Sequence, residues 1–170
     1  MNKILLATAL VVMGGAALFA GDVVRFRGDN SQGMYLEEKG LLKTWPQEGL
    51  TPKWTYTGLG EGWSSVAKVG NRLYVTGTGA GRPRKESVIC LDLDGRIVWK
   101  TETGTPTGNY HGARSTPTYV PGEKEGEGRL VVTTGSGEIF CLNAADGKIL
   151  WQKDIAQEYG SKFGMWGMAE

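Results

Sequence analysis

Short apolar runs punctuated by Gly, Asp and Asn set the rhythm of this chain, and the rhythm repeats. Residues 141–155 read CLNAADGKILWQKDI and residues 90–103 read CLDLDGRIVWKTET. Each copy carries a Cys-Leu pair, an Asp-Gly turn and a Trp that closes an apolar run. Trp54, Trp99 and Trp151 stand at matching places, 45 and 52 residues apart. Propeller repeats run about 40–50 residues with about four strands each. Four strands are predicted per unit. WSSVAKV (63–69) matches RSTPTYV (114–120), RLYVTGT (72–78) matches RLVVTTG (129–135), SVICLDL (87–93) matches EIFCLNA (138–144), and RIVWKTE (96–102) matches KILWQKD (148–154). Loop insertions explain the unequal spacing: PGEKEGEG (121–128) in the second unit and GAGRPRKE (79–86) in the first.

Val, Ile, Tyr, Phe, Thr and Trp dominate the runs, as β-strands favour. Asp94-Gly95 and Asp146-Gly147 are hairpin signals, because Gly accepts a positive φ without a Cβ clash. The third strands are apolar at consecutive positions, Val88 to Leu91 and Ile139 to Leu142. A sheet with one wet face would alternate. Sheets stacked on both sides would not, and that is the situation of a propeller blade. The fold expected is all-β: a partial β-propeller of about two four-stranded antiparallel blades, 63–102 and 114–154, plus an extra strand around Trp54. A β-sandwich is the rival and accounts for the repeat less well.

The 27 glycines among 170 residues suit a turn-rich all-β chain. Lys and Arg total 19 against 18 Asp and Glu, so no basic stripe points to nucleic acid. Arg82, Arg84 and Lys85 read as a solvated loop tip. The first 20 residues have the pattern of a secretory leader. Lys3 precedes an apolar run from Ile4 to Met13, and Ala17-Leu18-Phe19-Ala20 ends it. Cleavage is expected after Ala20, with Ala17 the alternative; an uncleaved anchor would be the only membrane contact. Residues 21–52 show no repeat and are read as an irregular segment wrapping the surface, ahead of an incomplete propeller over 53–170. Cys90 and Cys141 occupy equivalent places in successive units. Neighbouring sheets lie about 10 Å apart, too far for a disulfide, so both are read as buried thiols.

CLNAADGKILW resembles the repeat of the pyrroloquinoline quinone (PQQ)-like β-propeller family, which often reads A-x-D-x-x-x-G-K-x-x-W. Gly147, Lys148 and Trp151 match, while Cys141 and Asn143 replace the usual Ala and Asp. The copy with Cys90, Asp92, Gly95 and Trp99 is one residue shorter between Asp and Gly. The resemblance implies that Trp99 and Trp151 dock blade against blade, with Trp54 doing so for the blade that closes the ring and Gly95 and Gly147 holding the turns. It also implies two kinds of function. One is a non-catalytic scaffold, exported to the periplasm or secreted, that binds protein or a small ligand and needs no cofactor. The alternative is a fragment of a PQQ- and calcium-dependent alcohol or sugar dehydrogenase. The dehydrogenases use a calcium site and often an adjacent Cys pair, and neither pattern is found here.

His111 stands alone in GNYHGARSTP, without the clustered ligands of a metal site or the paired base of a nucleophile. Loops that enter the first strand of a blade face the central channel in this fold, so Trp63, Tyr110, His111 and Arg114 are the candidates for a binding mouth. GTGAGR lacks the Lys-Ser/Thr and helix of a phosphate cradle and is read as a hairpin loop. Asp92 and Asp94 lack the spacing of a calcium loop. Two units do not close a ring of about 4–8 blades. A gene fragment is the expectation; assembly of several copies to cover the exposed blades, or a short protein whose exposed blade faces bind a partner, are the competing ones.

Overall fold

The computed structural model describes residues 21–36, 38–40, 42–106, 112–123 and 127–169. The leader expected over residues 1–20, and Tyr110 and His111, lie outside the described residues. No helix among the described residues is long and apolar enough to cross a membrane.

Among the described residues, two four-stranded antiparallel sheets form, each in simple sequential order. The first contains β1 (Ala67–Val69), β2 (Arg72–Thr78), β3 (Glu86–Asp92) and β4 (Ile97–Glu102). The second contains β5 (Thr118–Val120), β6 (Arg129–Thr133), β7 (Glu138–Asn143) and β8 (Ile149–Asp154). One short helix, α1 (Ile155–Tyr159), follows, its Asp154 N-cap accepting the Gln157 amide at 3.0 Å. The middle and outer strands fall within two residues of the expected bounds. The first strands are shorter than 63–69 and 114–120, because their lead-ins peel away from the neighbouring strand. There a hydroxyl replaces the ladder: Ser64 Oγ accepts the Thr76 amide at 3.3 Å, and Ser115 Oγ accepts the Thr133 amide at 3.2 Å.

The sheets repeat each other down to their irregularities. Cys90 pairs with Trp99 and Cys141 with Trp151, and each ladder skips a residue just beyond, so that Leu91 meets Ile97 and Leu142 meets Ile149. Such a bulge bends the strand and re-aims its side chains. Both hairpins are tied by an Asx side chain. Asp92 Oδ1 accepts the amides of Asp94 at 2.9 Å and Arg96 at 2.8 Å. Asn143 Oδ1 accepts that of Ala145 at 2.8 Å. The Arg96 amide, then the Asp94 amide, hold the Asp92 carboxyl below the usual carboxylate range. Turn chemistry thus explains both positions.

The core lies between the sheets. Tyr74, Val88, Cys90 and Trp99 of the first meet Leu130, Val132, Phe140 and Leu142 of the second. Full burial of such side chains stabilises by about 1.5–3 kcal/mol each. A second cluster covers the opposite face of the first sheet, where Trp54, Tyr56 and Leu59 pack on Val75, Ile89 and Leu91. Residues 53–57 lie on that face without joining a ladder, so the extra strand expected around Trp54 is a packed segment here. Cys90 and Cys141 are free and buried. Burial pushes the Cys90 thiol up to about 11, against the opposing pull of Arg72, and raises that of Cys141 as well.

Candidate functional site

Two joints of one design hold the stack. At the first, the Trp54 indole donates from Nε1 to the Leu93 carbonyl at 2.8 Å. Its ring lies over Gly95, whose φ is +80°, and a Cβ there would stand 2.8 Å from Trp54 Cε3. At the second, Trp99 Nε1 donates to the Ala144 carbonyl at 3.2 Å. Its ring lies over Gly147, φ +74°, where a Cβ would stand 2.6 Å from Trp99 Cδ2. Glycine at these turns therefore does two things: it permits the left-handed backbone and leaves room for an indole. Tyr74 and Thr101 tighten the second joint. Tyr74 Oη also donates to the Ala144 carbonyl at 3.2 Å, with its ring 6.0 Å from that of Trp99. Thr101 Oγ1 donates to the Gly147 carbonyl at 2.7 Å.

The third indole is placed differently. Trp99 is 9% exposed, whereas Trp151 is 45% exposed and sits on β8 beside exposed Ile149 and Leu150. Val131, Ile139 and Cys141 share its face, the counterparts of Tyr74, Val88 and Cys90 in the first sheet. The face that closes a joint in the first sheet is open in the second.

Of the four mouth candidates, the structure brings Trp63 and Arg114 together. The Arg114 guanidinium lies 5.2 Å from the Trp63 ring centroid. This is a cation–π contact worth about 0.5–1 kcal/mol at an exposed site. The lead-ins of the two sheets run side by side here. Gly62 bridges Ala113 in parallel, and the Trp63 amide donates to the Ala113 carbonyl at 2.8 Å. Ser65 and Thr116 add a bond, amide to Oγ1, at 3.0 Å. Trp63 is 65% exposed, whereas the Arg114 guanidinium beside it is partly buried, its Nη1 shielded from solvent.

A feature the sequence did not signal lies between the sheets. The sequence places Glu86 last in the 79–86 loop insertion, yet it opens β3 and is 2% exposed. Its amide and carbonyl join residues 103–104, with Glu86 N donating to Gly104 O at 3.0 Å and Thr103 N to Glu86 O at 2.8 Å. Glu86 Oε1 accepts the Gly135 amide at 3.2 Å. Burial pushes this carboxyl up to about 7; the Gly135 amide opposes the rise, Glu138 adds to it, and Arg114 opposes it. Glu138 ties the connection between the sheets. Its Oε2 accepts the Thr105 amide at 2.8 Å and the hydroxyls of Thr134 and Ser136, each at 3.1 Å. The signal available in the sequence is a glutamate at the start of each third strand, Glu86 and Glu138.

A PQQ and calcium site would need free carboxylate or amide oxygens around one point. The described residues do not fit one. The two neighbouring carboxylates, Glu86 and Glu138, already accept backbone amides and hydroxyls, and no three His, Cys, Asp or Glu among the described residues group as metal ligands. The cysteines lie on separate sheets, each opposite a Trp.

A model of the family described as outer membrane protein assembly factor BamB matches residues 84–163. No curated protein matches the chain.

Proposed function

Because residues 84–163 carry PQQ-like propeller repeats, we propose that this protein is a non-catalytic scaffold of the bacterial envelope, holding a protein or small ligand without transforming it. One observation carries the reading. The chain builds the same Trp–Gly joint twice and then presents a third indole on a sheet face of matching composition. Such a face suits association with another sheet of this kind, and Trp151 is its docking residue, as Trp99 and Trp54 are at the inner joints. The exposed Trp63 indole is the second contact point, suited to a planar group.

The family description names an outer-membrane assembly factor, which favours the envelope and a protein partner over a quinone-dependent dehydrogenase. The leader pattern of residues 1–20 agrees with that location.

Sedimentation velocity over a concentration series tests the reading. Wild type associates with rising concentration, while Trp151→Glu sediments as the smaller species with unchanged circular dichroism. A wild type that stays monomeric throughout would remove the docking role. Addition of PQQ and calcium should produce neither bound-quinone absorbance nor dye reduction; either signal would favour the dehydrogenase.

A further inference from the structure

The packing of the two sheets opens at one end. There the β1–β2 turn faces β5 and the β7–β8 turn across a cavity of about 310 Å³, whose lining includes Val69, Arg72, Tyr74, Tyr119, Gly128 and Ala144. Pockets that take small molecules begin at about 300 Å³. Arg72 and Tyr74 stand two apart on β2 and so project to the same side. The walls are fixed by bonds of their own. Tyr74 Oη donates to the Ala144 carbonyl at 3.2 Å, the Ala144 amide to the Gly128 carbonyl at 2.9 Å, and the Ala145 amide to Asn143 Oδ1 at 2.8 Å. Gly128 also makes room for Tyr119: a Cβ there would collide with the phenol oxygen.

Two polar groups of the lining are left over. No hydrogen bond or ion pair among the described residues engages the Arg72 guanidinium or the Tyr119 hydroxyl. Arg72 is the one charged side chain of the lining. Asp92 pairs with it across the ladder. Asp92 Oδ1, however, already accepts two amides, and its Oδ2 stands 3.7 Å from Arg96 Nη1. A lone guanidinium matches a planar monoanion through two parallel N–H bonds. A phosphate dianion would call for more positive charge than one arginine brings. The two tyrosine rings, Val69 and the alanines supply an apolar wall that suits an aromatic ring.

We propose that this cavity between the sheets binds a small aromatic carboxylate. The Arg72 guanidinium holds the carboxylate by two N–H donors, the Tyr119 hydroxyl donates a third bond, and the ring lies against Tyr74 and Val69. The inference deepens the small-ligand side of the scaffold reading above and rests on it. It uses neither Trp151 nor Trp63, so the docking test and this one fail separately.

The test titrates the full chain with para-fluorobenzoate, followed by ¹⁹F NMR of the ligand. Wild type should show saturable binding in the millimolar range. Para-fluorobenzamide keeps the ring and lacks the charge. It should bind about tenfold more weakly, the usual margin of a charge-assisted bond over a neutral one. Arg72→Gln should lose binding to a similar degree and Tyr119→Phe about threefold, each with unchanged circular dichroism. Inorganic phosphate should not displace the ligand. A wild type that fails to saturate by about 20 mM overturns the inference. So does a benzamide that binds as well as the benzoate, or an unchanged affinity in folded Arg72→Gln. Displacement by phosphate at equal concentration also overturns it, because the cavity would then take any anion. The benzamide comparison needs no variant and decides the role of the cation even where Arg72→Gln does not fold. Absence of binding here leaves the sedimentation result, and with it the docking role of Trp151, as measured.

Discussion

At the residue scale, two positions carry consequences that differ in kind. Gly147 and Gly70 both have positive φ, +74° and +53°, but only Gly147 has an indole above it. Gly70→Ala should cost roughly 1–2 kcal/mol, the strain of a left-handed alanine. Gly147→Ala should cost about 1–3 kcal/mol more, because Trp99 must move. Urea unfolding of the two variants measures the difference, and equal losses would contradict the joint. Glu86 is the second position. Its folded carboxyl titrates at about 7 against an ordinary 4.5, so the folded state holds the proton more tightly than the unfolded chain. Stability therefore falls as pH rises from about 4.5 to 7 and levels off above, by roughly 3 kcal/mol. Glu86→Gln keeps an acceptor for Gly135 and has no carboxyl to ionise. Its urea midpoint should change less than that of wild type between pH 5 and pH 8. A wild type with no greater pH dependence than the variant would contradict the burial.

At the element scale, what the sequence disclosed was whatever repeats. The Cys-Leu, Asp-Gly and Trp positions recur because each sheet needs the same bulge, the same Asx-tied hairpin and the same indole, so β2 to β4 and β6 to β8 could be read to within two residues. The lead-ins could not, because hydroxyls of Ser64 and Ser115 take the place of strand pairing and hydroxyls follow no period. Glu86 was hidden for a related reason: a charged residue beside an Arg- and Lys-rich loop reads as solvated until the second sheet covers it. The pairing of Val23 with β1 was equally invisible, since a two-residue bridge has no pattern. The elements should also differ in stability. β3 is buried along nearly its whole length, whereas β8 is exposed along nearly all of its own. Hydrogen exchange should find the β3 amides opening near the global unfolding free energy and those of β8 exchanging earlier. Equal protection of the two strands would mean that something covers β8.

At the scale of the whole molecule, the account rests on two sheets stacked by an indole that reaches from the fourth strand of one to the hairpin turn of the next. The most direct measurement labels all six tryptophans with 5-fluorotryptophan, assigns each ¹⁹F resonance by Trp→Phe substitution, and records its shift between H₂O and D₂O. The Trp99 resonance should be nearly insensitive to the solvent, and those of Trp63 and Trp151 should move. A Trp99 resonance as sensitive as that of Trp151, at a concentration where the chain is monomeric, would contradict the stacking.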